Sequence, residues 1–537
     1  MVHSFVCNFF WEIDYGFSGF FNISRILELS LDWGGDLENL FNLSDCSFFL
    51  ILLDYVAYTI FFFTFFVILI FSFFKKSNKN LNFFSMNLLK VVCLTSFFLS
   101  MSLAFLYSYV YLFWLVKVNS KFINHTFLFI PMHSFFGFTF FIDFFGIIIL
   151  FISYFVGLLS FLALDNKFFN KNIRYIFFLN IFVLIVFLFV ATNNVLIIFL
   201  LYELLLVPSF LLVFYISPSR KSTQASLYFV IWTQIGSFLV LCVIFYIIMS
   251  SGCTSIFLIK NFIFSDIETL FLSIFLFFGF GFKVPVWPFH YWLTKTHVEA
   301  PSGFSMYLSG FLVKTALYGF YKIIDIFSFE SNSVLFSTIC AVGIIDASLK
   351  MWGQTDLKKL VAYGTVQEMN MIYLVFCWGN SHNVIGGVLF CITHACLSTF
   401  MFYLVDCIYR RYYTRSVLEI SGLLEKTPNL GCCVLLMCVL YSGLPGTLKF
   451  TSEFYILSSF FEITPFFSIL VVFVANCLGL IGFSKSWYNV TFGMSLMHGS
   501  RKQKIQKLMD LTLREFFIFF ISIFTLVLFC FISNFNF

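Results

Sequence analysis

Seven ionisable residues lie inside long apolar runs of this sequence: Glu203, Lys283, Lys314, Glu368, His394, Lys449 and Glu453. An isolated charge near the centre of a bilayer costs roughly 2.5 to 3.5 kcal/mol on insertion scales, so such groups persist mainly where a partner or internal water receives them. Acids and bases are interspersed at similar depth, and in a low dielectric an ammonium approaching a carboxylate changes the proton affinity of both. Imidazole is the side chain best suited to exchange protons near neutral pH. Together these residue types are suited to relaying protons. Each also has a plainer reading. Glu203 could be a neutral carboxyl hydrogen-bonded to a neighbouring helix, Lys449 and Glu453 a structural i, i+4 pair, and a lone helical histidine is more often structural than a relay. Glu203, Lys283, Lys314 and Glu453 read as relay groups, His394 joins them, and Glu368 and Lys449 are further candidates. His290, His297 and Glu299 read as caps and ties of a hairpin rather than metal ligands, because no third and fourth ligand has suitable spacing. No nucleophile, phosphate loop or cofactor motif accompanies them, so the chain is expected to move ions rather than to do covalent chemistry.

The elements that must position these residues are membrane helices. With 61% hydrophobic residues, 11% charged residues and a mean hydropathy of +0.98, the chain departs from soluble domains, whose charged fraction is about 25%. The composition predicts an all-α polytopic membrane protein. Its 87 phenylalanines read as compositional drift at lipid-facing positions. The 15 cysteines contain no CxxC spacing, which argues against iron–sulfur and metal frameworks. No basic cluster interleaved with aromatics suggests nucleic acid. Neither a signal peptide nor an Arg-rich transit peptide is visible, so an organellar protein with this sequence would be expected to be made inside the organelle.

Residues 1–47 form a polar leader with seven acids and one arginine. Beyond it, apolar runs of spanning length predict about fourteen helices, over 48–74, 90–116, 140–164, 174–191, 194–216, 225–249, 267–289, 302–326, 332–352, 357–378, 383–409, 429–461, 464–484 and 514–534. The twelfth is too long for one regular helix. Lysine and arginine concentrate on alternate connections, which places those loops on the cytoplasm-like side and both termini opposite. Gly/Pro interruptions recur at GFGFKVPVWP in the seventh helix and SGLPGTLKFTSE in the twelfth. Paired broken helices point to an inverted repeat with a shared site at the membrane midplane. The expected units are the leader 1–47, helices 1–3 over 48–164, a first five-helix repeat over 165–326, a second over 327–488, and a basic loop with the last helix over 489–537.

The stretch from Lys283 to Tyr318 closely resembles the antiporter-like proton-pumping subunits of respiratory complex I. Their pattern is met by Lys283, Pro285, Pro288, His290, His297, Glu299, Ala300, Pro301, Lys314, Tyr318 and Gly319. QTDLKKLVAYGTV from Gln354, the segment from His394 to Phe402 and YRRYYTR from Tyr409 add to it. The resemblance covers roughly residues 140–490. Glu453 stands in GLPGTLKFTSEF where the sibling subunits 2 and 5 usually carry lysine. The resemblance implies an H+-translocating subunit of NADH:ubiquinone oxidoreductase with no redox centre of its own. NADH, FMN, iron–sulfur clusters and ubiquinone would belong to partner subunits, and the neighbours would be other antiporter-like subunits and lipid. It also implies the mitochondrial inner membrane, with basic loops toward the matrix and both termini toward the intermembrane space. Glu203, Lys283, Lys314 and Glu453 would be the central charged residues, with His394 on the path between them. The chain departs from the pattern at Glu368, where the family usually has histidine, at Lys449, where it has a neutral residue, and at WLTKTH, where it has WLP-x-A-H. Alternatives are subunit 2 or 5, a self-contained cation/proton antiporter, or a scaffold whose buried charges only hold helices together.

Overall fold

The computed structural model describes residues 130–135, 138–163, 173–216, 219–327, 333–377, 381–463, 473, 475–493 and 510–536. The acidic leader, the first two expected helices and the basic loop over 494–509 lie outside the described residues. What is described is helical apart from one antiparallel hairpin, β1 (Ile130–Phe135) and β2 (Phe138–Ile142). The expectation of a mostly helical membrane protein holds, and the start of the third helix, expected at 140, moves to Phe144. FTFFI is aromatic and β-branched, a composition that suits a strand, and the helix begins only after Asp143, whose extended backbone stands at the N-cap of α1 (Phe144–Leu162).

The polypeptide continues through α2 (Ile173–Ala191), α3 (Val195–Leu204), α4 (Leu206–Ile216), α5 (Arg220–Ser251), α6 (Ile256–Ile259) and α7 (Asp266–Gly281). The sequence predicts one helix over 194–216, whereas α3 and α4 are separated by a turn at Leu205. Pro208 has no N–H to offer the Leu204 carbonyl, which weakens the ladder there. Asn194 caps α3 by accepting from the Leu196 and Ile197 amides. The α5 helix ends on Gly252 at φ 67°, the left-handed cap that glycine favours.

After α7 the chain leaves helical geometry from Lys283 to His290, includes a cis Trp287–Pro288 bond, and resumes as α8 (Tyr291–Glu299) and α9 (Ser302–Tyr307). Backbone groups freed inside a membrane must find protein partners. Here the Trp292 indole donates to the Phe282 carbonyl at 2.8 Å and the Asn370 amide to the Pro285 carbonyl at 3.3 Å. A π turn over Leu308–Leu312 leads into α10 (Val313–Ile324).

Then follow α11 (Ser333–Trp352), α12 (Leu357–Phe376), α13 (Ser381–Tyr412), α14 (Leu423–Lys426), α15 (Pro428–Tyr441), α16 (Leu448–Ile463), a second π turn over Ala475–Gly479, α17 (Leu480–Phe492) and α18 (Leu513–Asn536). The long twelfth segment is thus two helices. Gly443 at φ 67° and Gly446 at φ 92° make the break between them, conformations that other residues adopt at a cost. The thirteenth runs to Phe492 rather than 484, so Lys485 sits inside α17 and not in a loop. Among the described residues five spans are long and apolar enough to cross a membrane, and the chain is an integral multi-pass membrane protein. Its innermost element is α13, which is buried from Gly386 to Val405 and packs against α1, α12, α16 and α18.

Candidate functional site

The breaks and the π turn bring five of the seven predicted residues into one buried file. Lys314, on the first turn of α10, donates to the Ser309 carbonyl at 2.6 Å, within the widened π turn, and contacts Nδ1 of His394 on α13. The opposite ring nitrogen, Nε2, faces Glu368 Oε2 of α12 at 3.9 Å. Glu368 Oε1 accepts from Lys449 Nζ at 2.8 Å, and Lys449 lies 3.9 Å from Glu453 Oε1 on the same helix. Lys314, His394, Glu368, Lys449 and Glu453 are each at most 6% exposed. Four helices therefore contribute to one line of two bases, Lys314 and His394, followed by acid, base and acid.

The other two residues form a separate group. Lys283 donates to the Tyr202 carbonyl at 3.2 Å, and its ammonium sits 3.6 Å from the centre of the Tyr202 ring. The adjacent Glu203 makes no direct ion pair with Lys283. Glu203 is half-buried and accepts from the Gln234 amide at 2.8 Å. Gln234 is exposed on α5, on a surface it shares with Leu200, Leu204, Ile231, Ile235 and Phe238.

The i, i+4 contact expected between Lys449 and Glu453 is present but secondary, since the lysine's short bonds go to Glu368 and, at 2.7 Å, to the Tyr441 carbonyl. That carbonyl is at the last residue of α15, where no next helical turn can satisfy it. Lys449 also lies 3.9 Å from the centre of the Tyr441 ring. His290 ties the first break to α11, with Nε2 at 3.1 Å from Lys350 and 3.4 Å from Asp346. His297 stacks on Phe402 with centroids 4.7 Å apart. Among the described residues no group of three or more His, Cys, Asp or Glu could hold a metal ion. Sequence reasoning missed Gln234, Tyr202 and Tyr441. Gln234 had a readable signal, an amide in the middle of an apolar helix; the tyrosines had none, because their carbonyls do the work.

Residues 192–479, just over half of the chain, match the family described as NADH:quinone oxidoreductase/Mrp antiporter, TM. The chain belongs to the NADH:quinone oxidoreductase/Mrp antiporter family. The NADH-ubiquinone oxidoreductase chain 4 of Paramecium tetraurelia is 43% identical over 351 residues, 65% of this chain and 74% of that one. The fold is similar to a chain of respiratory complex I from Thermus thermophilus with bound NADH (TM-score 0.67, 19% identity, 80% of this chain and 90% of that one). It is similar also to a chain of the Mrp complex from Dietzia sp. DQ12-45-1b (TM-score 0.69, 16% identity, 82% and 80%). Every residue of the buried file lies within the segment that matches the NADH:quinone oxidoreductase/Mrp antiporter family.

Proposed function

We propose that the buried file from Lys314 to Glu453, together with Glu203 and Lys283, is the route by which protons cross a membrane-arm subunit of NADH:quinone oxidoreductase. Membership in the family and the chain 4 relative support the subunit's place in that H+-translocating enzyme. The single observation that carries the route is a buried file of basic and acidic side chains from four helices, each within 3.9 Å of the next. Such groups can pass a proton by small shifts of position, since each new neighbour alters the other's proton affinity. Glu203, Lys283, Lys314 and Glu453 are the main relay groups, and His394 joins Lys314 to the rest.

The fourteen-helix plan, the unit boundaries and the inverted repeats 165–326 and 327–488 belong to the same reading. Asn194 caps α3 and bridges to Ser255; Asp356 caps α12 and bridges to Ser416. These bridges fall at corresponding places in the two expected repeats, and a lysine flanks each break, Lys283 at the start of the first and Lys449 after the second. The basic loops face the mitochondrial matrix in this reading, and the redox groups of the enzyme reside in partner subunits. Neighbouring antiporter-like subunits are the natural partners, and the half-exposed Glu203 on an apolar face supports one of them covering it.

In the assembled complex, Glu203→Gln or Lys283→Ala is expected to lower proton pumping and coupled quinone reduction by roughly a hundredfold, the scale of losing a positioned acid–base group. Full pumping in either variant, with assembly verified, would remove both from the route. A self-contained cation/proton antiporter is the second reading, favoured by the fold likeness to the Mrp complex chain. Cation-driven proton flux by the purified chain in liposomes would select it.

A further inference from the structure

The fold brings the carboxylate of Glu368 and the ammonium of Lys449, from helices far apart in sequence, to 2.8 Å in a buried setting. A buried carboxylate or ammonium without its partner is strongly destabilising, whereas the pair is tolerated. Their placement follows that of Glu203 and Lys283: the acids lie on α3 and α12, the helices capped by the corresponding residues Asn194 and Asp356, and the lysines flank the two breaks, Lys283 at the start of the first and Lys449 just after the second. Each lysine is seated on the carbonyl and the ring of a tyrosine, Tyr202 in one case and Tyr441 in the other.

The contacts around His394 give the pair a direction. Lys314 as an ammonium has only donors, so the Nδ1 it touches accepts, and the proton of a neutral ring is then on Nε2. Nε2 is buried without a hydrogen-bond partner and faces Glu368 at 3.9 Å. An imidazole so placed can take a proton at one nitrogen and release one from the other.

Resting on the relay reading above, we propose that Glu368 is the second acid of the route and that Lys449 is its switching partner. A proton leaves Lys314 Nζ for His394 Nδ1 while the Nε2 proton passes to Glu368 Oε2. Lys314 becomes a neutral amine, Glu368 a neutral acid, and His394 is left in its other neutral tautomer. A neutral Glu368 no longer holds the ammonium of Lys449, which then turns to Glu453, now 3.9 Å away. Arrival of a proton at one acid is thereby exported to the next as movement of a positive charge.

The test compares Glu368→Gln/Lys449→Gln with Lys314→Ala in the assembled complex, reading protons pumped per electron. A purely structural ion pair predicts wild-type pumping in the double variant, because no unpaired charge remains. The relay role predicts a loss of roughly tenfold or more with quinone reduction still detectable, as for a missing acid–base group. Normal pumping in the double variant with pumping abolished in Lys314→Ala overturns this inference alone; normal pumping in both overturns the relay reading itself. Should the double variant fail to assemble, turnover-induced infrared difference spectra of Glu368→Asp decide. A protonated-carboxyl band that moves with the Asp substitution supports the transfer, and a spectrum unchanged from wild type overturns it.

Discussion

At both breaks a lysine sits against a tyrosine carbonyl and over the same tyrosine's ring, yet the two carboxylates nearby are treated differently. Glu368 is buried and bonded directly to Lys449, whereas Glu203 is half-buried and bonded to an amide, with Lys283 held one residue away on Tyr202. Both members of the second pair are buried among the chain's own helices. The first acid instead lies on an apolar outer face. A closed ion pair can act alone, while an acid held by a neutral amide at the surface is poised to respond to whatever covers it.

The difference can be broken most sharply by removing each ammonium in turn. Lys449→Met should leave Glu368 buried beside His394 without its strong partner and destabilise the chain by about 3 to 5 kcal/mol. Lys283→Met should cost much less, because Glu203 keeps Gln234 and partial access to its surroundings. Yields of assembled complex and thermal inactivation temperatures check the pair, and equal losses would erase the contrast. Gln234→Leu should come next. It strips Glu203 of the hydrogen bond seen here, worth about 1.5 to 3 kcal/mol for a charged acceptor. The same assays should show a loss that Gln234→Asn partly restores. The smallest effect expected is that of Gly443→Ala. It places a methyl 3.1 Å from Glu453 Oε2 at a residue with φ 67°, and the left-handed backbone alone costs about 1 to 2 kcal/mol. Pumping that is more temperature-sensitive than wild type would check it.

The depth of the charged residues and the two breaks were legible in the sequence, because lysine in an apolar run and clustered Gly and Pro are each costly without a purpose. Three features were not. The strand over Phe138–Ile142 is an apolar run that no periodicity distinguishes from the start of a helix. The interruption at Leu205 rests on a single proline three residues on. The bond from Lys449 to Glu368 joins helices far apart in sequence, so local spacing pointed instead to Glu453, four residues along the same helix. The same is true of His394: its position in mid-helix was readable, but not that its two nitrogens face a base on one side and an acid on the other.

The π turn over Leu308–Leu312 has a consequence for deletions. The backbone hydrogen bonds there join residues five apart, Val313 to Leu308, where a regular turn joins residues four apart, so the helix carries one surplus residue. Deleting a single residue from this turn would therefore be expected to leave α9 and α10 where they are and to close the ladder between them. The Ser309 carbonyl would then be claimed by a backbone amide and withdrawn from Lys314. A one-residue deletion at this point would be silent to the fold and audible only to the ammonium.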